Sequence, residues 1–87
     1  MKYIITGKDG ECEMFEFKGN AGAYLQDEGY GQDVDSDFDL RDYSPEDLFD
    51  AATKQPIGPA RYWHAEEVDE NKSTERFLEL QDLVSQG

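Results

Sequence analysis

Apolar residues come in short runs with two different periods along this chain, and the periods set out its elements. Tyr3-Ile4-Ile5-Thr6 and Glu13-Met14-Phe15-Glu16-Phe17 flank Lys8-Asp9-Gly10-Glu11. An Asp-Gly pair between two such runs is a strong signal for a tight hairpin turn, so an N-terminal β-hairpin is expected. In its second strand Phe15 and Phe17 should share one face, and Met14 and Glu16 the other. Asn20 is placed to cap a short helix over 21–26, weakened by Gly22 and ended by Gly29 and Gly31. From Val34 to Leu40 the pattern has period two, fitting a strand with Val34, Phe38 and Leu40 inward. Aspartate is a poor strand former, and an extended loop competes with that reading.

Ser44-Pro45-Glu46-Asp47 is a clear helix start: Ser44 as cap, Pro45 at the first helical position and Asp47 three residues past the cap. The helix should carry Leu48, Phe49, Ala51 and Ala52 and stop near Gln55-Pro56. Ile57-Gly58-Pro59 reads as a rigid connector, and Ala60 to Glu66, with Tyr62 and Trp63, as another strand. Glu67 to Lys72 is expected to form a charged loop, with Ser73 or Thr74 capping a last helix. In that helix Phe77, Leu80 and Val84 recur at helical spacing, and Leu78 and Leu83 should widen the apolar face. The predicted order is β-β-α-β-α-β-α: an α+β domain over residues 1–87, with a small, mostly antiparallel sheet and helices packed on one face.

Length and composition narrow the function classes. Eighty-seven residues are enough for one core but not for a core plus a deep enclosed active site, so function is expected on the surface. The 21 acidic against 8 basic residues give a net charge of −13, which disfavours nucleic acid or an anionic membrane as a direct partner. A basic partner is favoured instead. The brief apolar run after Met1 is too short for a signal-peptide core, and no apolar run reaches membrane-spanning length, so a cytoplasmic location is expected. Cys12 is the one cysteine, which rules out an internal disulfide and suits a half-buried strand residue.

The charge is concentrated. Asp27, Glu28, Asp33, Asp35, Asp37, Asp39, Asp42, Glu46, Asp47 and Asp50 lie in one stretch whose single basic residue is Arg41. If residues 33–40 are extended, side chains on one face are roughly 6.6 Å apart, and Asp33, Asp35, Asp37 and Asp39 form a row of anions. Phosphates rise about 3.4 Å each along the axis of a DNA strand but follow a helical path, so their through-space separation is comparable to that of the row. Each neighbouring pair repels by roughly 0.6 kcal/mol in water before screening. Several pairs together cost a kcal/mol or two against a domain stability of about 5–10 kcal/mol, a penalty that invites a compensating use.

In size, charge and the run from Asp33 to Asp50 the chain resembles the small acidic proteins that bacteriophages and mobile elements use as nucleic-acid mimics, among them anti-CRISPR and anti-restriction inhibitors. The resemblance implies a non-enzymatic inhibitor without cofactor or metal. Its partner would be a basic nucleic-acid-binding protein: a nuclease, a CRISPR effector, a restriction enzyme or a polymerase. The contact surface expected on this reading is Asp33, Asp35, Asp37, Asp39, Asp42, Glu46, Asp47 and Asp50.

Other readings of the same residues stay open. A calcium loop would draw on Asp35, Asp37, Asp39 and Glu46, although Leu40 stands where such a loop needs glycine and Asp42 where it is usually apolar. A solvated acidic face serving a partner unrelated to nucleic acid is another. For an enzyme, the one histidine, His64, lies beside Trp63 in a predicted strand and reads better as structural or surface than as catalytic, and carboxylate pairs are too abundant to single out a hydrolase. Tyr24, Tyr30 and Tyr43 flank the acidic stretch and are candidate anchors, while Tyr62 and Trp63 are expected to fill the core.

Overall fold

The computed structural model describes residues 1–7, 11–30, 42–55 and 63–85. Its elements are β1 (Lys2–Thr6), β2 (Cys12–Phe15), α1 (Lys18–Asp27), α2 (Pro45–Thr53), β3 (His64–Val68) and α3 (Glu70–Ser85). The sheet is antiparallel in the order β2-β1-β3, and the α+β class expected from the sequence holds. Among the described residues the order is β-β-α-α-β-α. The strand expected over 34–40, the Asp9-Gly10 turn, the connector at 57–59 and the start of the strand expected from Ala60 lie outside the described residues.

β1 is the central strand, and its alternation divides the domain. Tyr3 and Ile5 point to one side and Ile4 and Thr6 to the other, yet Ile4, Ile5 and Thr6 are all buried. Both faces of the sheet are therefore covered. On the first face Ile5, with Ala65 opposite it on β3, joins Ala21 and Leu25 of α1 and Leu48, Phe49 and Ala52 of α2 in one cluster. On the second, α3 brings Leu80 and Val84 to the side of the sheet that carries Ile4. The expectation of helices on one face thus holds for α1 and α2, while α3 takes the opposite face. Consecutive buried residues on a central strand need apolar cover on both sides.

The hairpin pairs Tyr3 with Phe15 and Thr6 with Cys12, and the Gly7 amide donates to the Glu11 carbonyl at 2.9 Å across its mouth. Phe17 is not a strand residue beside Phe15 as expected. It is the extended residue before α1 and is 65% exposed. Nor does Asn20 cap α1, because the helix has begun at Lys18 and the Phe17 carbonyl accepts from the Asn20 and Ala21 amides, both at 3.1 Å. α1 ends as expected at Gly29, whose φ of +88° suits a residue without a Cβ. There the Gly29 amide reaches the Gln26 carbonyl and the Tyr30 amide the Leu25 carbonyl, the paired bonds of a Schellman ending, while Tyr30 folds back into the cluster that holds Leu25.

α2 starts as its sequence predicts: the Ser44 hydroxyl oxygen accepts from the Asp47 amide at 3.3 Å, Pro45 opens the helix, and Leu48, Phe49 and Ala52 are buried. Its first residue rests on α1 at Gly22, where a Cβ would fall 1.8 Å from the Pro45 carbonyl oxygen. The glycine that weakens α1 on propensity is the one that lets the two helices touch. Gly7 plays the same part under Trp63, whose indole occupies the space a Cβ would need.

β3 runs to Val68, beyond the expected end at Glu66, since Tyr3 and Lys2 offer ladder partners to Glu67 and Val68. α3 then begins at Glu70, and the charged loop expected over 67–72 shrinks to Asp69. Ser73 is buried inside the helix with its hydroxyl donating to the Glu70 carbonyl at 2.9 Å, so it does not cap. Leu80 and Val84 face the sheet as expected, but Leu78 and Leu83 are 57% and 48% exposed and do not widen the apolar face. Leu78 lies two residues from Leu80, about 200° around the helix and so on its far side.

Candidate functional site

Four of the eight acidic residues expected to form the contact surface, Asp33, Asp35, Asp37 and Asp39, lie outside the described residues. The other four belong to the start of α2. Asp42 and the Ser44 cap lead into the helix, Glu46 and Asp47 occupy its first turn, and Asp50 follows one turn after Glu46; all four carboxylates are exposed. Helix geometry puts Glu46 and Asp50, four apart, on one flank and Asp47 about 100° from Glu46.

Their electrostatic situations differ. The Asp50 carboxylate accepts from Lys18 Nζ at 2.7 Å and raises the lysine pKa, so its charge is partly offset within the molecule. Glu46 reaches over Gly19 of α1, where its carboxylate lies 2.9 Å from the position a Cβ would take. Asp47 receives no ion pair among the described residues; its amide is held by Ser44. Glu46 and Asp47 also complement the positive end of the α2 dipole, worth about 0.3–1 kcal/mol each at an exposed helix start. Outward negative charge therefore remains at Asp42, Glu46 and Asp47, and Asp50 contributes less than its place in the sequence implies.

Two basic residues elsewhere, Lys2 and Arg76, are similarly engaged, whereas Lys54 and Lys72 have no ion pair among the described residues. Lys2 Nζ meets Glu16 at 3.1 Å, and Arg76 holds Glu66 through Nε and Nη2, both at 2.7 Å, and Glu79 through Nη1 at 2.7 Å. The two-pronged Arg76 contact keeps the Glu66 carboxyl below the usual carboxylate range, against the opposing effect of its partial burial and with help from His64. The sequence gives no sign of this cluster, because Glu66 and Arg76 come from different elements and meet only when α3 lies over β3.

His64 belongs to the same cluster. Its ring is buried, with Nδ1 donating to the Gln55 carbonyl at 2.6 Å and Nε2 3.1 Å from Glu66 Oε1. Both nitrogens are therefore occupied in holding the end of α2, β3 and α3 together, the structural role expected of it. Cys12 is half-buried with Sγ 3.9 Å from the Phe77 carbonyl, and burial, aided by Glu13, pushes its thiol up to about 11, which keeps it protonated and unreactive near neutrality.

The candidate anchors separate as well. Tyr43, just before the α2 cap, is exposed, whereas Tyr30 and Trp63 are buried. Tyr24 packs edge-on against Trp63 at 6.1 Å and donates its hydroxyl to Glu11 at 2.7 Å. Burial and that bond raise its pKa. Tyr43 is thus the aromatic that stands beside the acidic helix start and faces solvent. Among the described residues no group of three His, Cys, Asp or Glu side chains could hold a metal ion, and no helix is long and apolar enough to cross a membrane. No protein-family model, curated protein or solved structure matches this chain.

Proposed function

We propose that this protein is an acidic binding inhibitor that covers the basic nucleic-acid-binding surface of a partner protein, acting as a nucleic-acid mimic and making or breaking no bond. The observation that carries the reading is the charge of one stretch of chain. The acidic run from Asp33 leads into exposed Asp42, Glu46 and Asp47 at the start of α2, while Lys2, Lys18 and Arg76 are already tied to the protein's own carboxylates. A partner groove rich in lysine and arginine would meet this stretch much as it meets a phosphate backbone, with Tyr43 as an apolar contact at its edge. Encounter between such opposite charges is fast and weakens with salt.

The test is capture from lysates of candidate bacterial hosts, with mass spectrometry of the retained proteins, beside a variant carrying Asp35→Asn, Asp37→Asn and Asp39→Asn. The expected result is one nuclease, polymerase or other nucleic-acid enzyme, lost in the variant and displaced by DNA or guide RNA. Retention of the same partner by both proteins, indifferent to salt and to nucleic acid, would overturn the reading.

A further inference from the structure

The sheet has a second feature suited to a basic partner, on a surface separate from the start of α2. In the order β2-β1-β3, β2 is an outer strand, and among the described residues β1 is its one neighbour. Among the described residues nothing pairs with its other side, and proteins guard such an edge with short strands, charged side chains (lysine above all), proline or a covering segment. Here the four-residue strand is guarded by acids rather than lysines, with apolar groups between them, so the edge repels an acidic strand and not a basic one. Glu11 and Glu13 flank Cys12, Met14 is 38% exposed, Glu16 follows Phe15, and Phe17 projects at the end. Glu11 accepts from the Tyr24 hydroxyl and Glu16 pairs with Lys2, which leaves Glu13 as the carboxylate of this edge with neither hydrogen bond nor ion pair among the described residues.

Charge decides what can add to this edge. A second copy would bring another −13 and set its own Glu11, Glu13 and Glu16 against these three, so self-pairing is opposed. A strand with lysine or arginine facing Glu13 and an apolar side chain facing Met14 is favoured on both sides of the pleat. We infer that the outer edge of β2 takes up an extended, lysine- or arginine-bearing segment of a partner protein as an added strand. Backbone bonds would supply the docking and Glu13, Met14 and Phe17 the selectivity. The inference shares with the proposed function the premise of a basic partner but uses different residues, and each can fail without the other.

The test uses the full chain, isotope-labelled, titrated with a synthetic peptide of alternating lysine and valine and followed by amide chemical shifts and amide exchange. A fully N-methylated peptide of the same charge, which cannot pair through its backbone, is the control. The expected result is shifts centred on Cys12 to Phe17 with slowed exchange there, absent with the N-methylated peptide. Glu13→Gln should weaken binding about twofold to fivefold, and Glu75→Gln, which removes the same charge from an exposed position on α3, should leave it unchanged. Equal binding of both peptides, shifts centred on Asp42 to Asp50, or no shift at millimolar peptide would each overturn the inference. The lysate capture reads the acidic run independently, so its loss or retention does not bear on this edge.

Discussion

The two faces of the sheet are built on different principles. Under α1 and α2 the contact is aromatic and close: Tyr3 meets Phe49 edge-on at 5.4 Å, Phe15 meets Tyr24 at 5.4 Å, Tyr24 meets Trp63, and glycines at 7 and 22 admit an indole and a backbone carbonyl. Under α3 the buried apolar set among the described residues is thinner, with Ile4, Leu80 and Val84, and it is joined by Thr6, Ser73, His64 and the Glu66–Arg76 pair. The first face owes its stability to shape and apolar burial, which pH and salt scarcely touch. The second owes part of its stability to charge, and responds to both. The acids at the start of α2 lie on the helix whose buried side belongs to the first face, so the half packed by apolar and aromatic contact carries the candidate surface.

The largest break in this contrast is expected from Phe49→Ala, which empties the centre of the first face and should cost about 3–5 kcal/mol by urea denaturation. Gly22→Ala comes next. Its new methyl has no room against Pro45, so α2 must move off α1, at about 1–3 kcal/mol or more. The drop in midpoint should be accompanied by shifts of the α2 amides in an NMR spectrum. A Gly22→Ala protein as stable as the parent would show that the helix contact is slack.

Glu66→Gln probes the second face, at an expected cost of about 1–2 kcal/mol near neutral pH, reduced by the partial exposure of both partners. Because the folded state holds the Glu66 carboxyl below its unfolded value of about 4.3, its contribution is fully present above that pH and is lost as pH falls through the folded value. Thermal melts from pH 7 to pH 3 should therefore converge for parent and variant at the acid end, whereas Phe49→Ala keeps its full deficit throughout.

Ser44→Ala removes the side-chain cap of α2 and should cost about 1 kcal/mol. It sharpens the comparison because it loosens the acidic helix start without touching either face. At the small end, Leu78→Ser should change stability by less than about 0.5 kcal/mol in the same melts, since the side chain faces solvent on the far side of α3. A larger loss would mean that this leucine is covered.

Local signals were legible wherever one residue type does one local job. Ser44 and Pro45 announce the start of α2, Gly29 the end of α1, and the alternation around Ile5 and Phe15 the hairpin. The signals that misled were local preferences overridden by distant partners. Asn20 is a good cap, but the helix had already begun where the hairpin ends; the acids at Glu67 and Asp69 suggest a loop, but β1 offered Glu67 and Val68 a ladder. For the candidate site, the acidic run and the α2 start were readable as charge. The pairing of Asp50 with Lys18 was not, because those residues are 32 apart in the chain and meet only through helix packing.

What the sequence determined by itself is therefore the set of elements with strong end signals, the α+β class, and the excess and position of negative charge. Those depend on short-range sterics, backbone capping and counting of charges. Tertiary structure alone decided that α3 takes the opposite face from α1 and α2, that Gly22 and Gly7 are contact points, that Glu66 pairs with Arg76, and that β2 and β3 pair on either side of β1. Each of these joins residues far apart in the chain, and burial on both faces of one central strand selects such a pairing only once every element is in place.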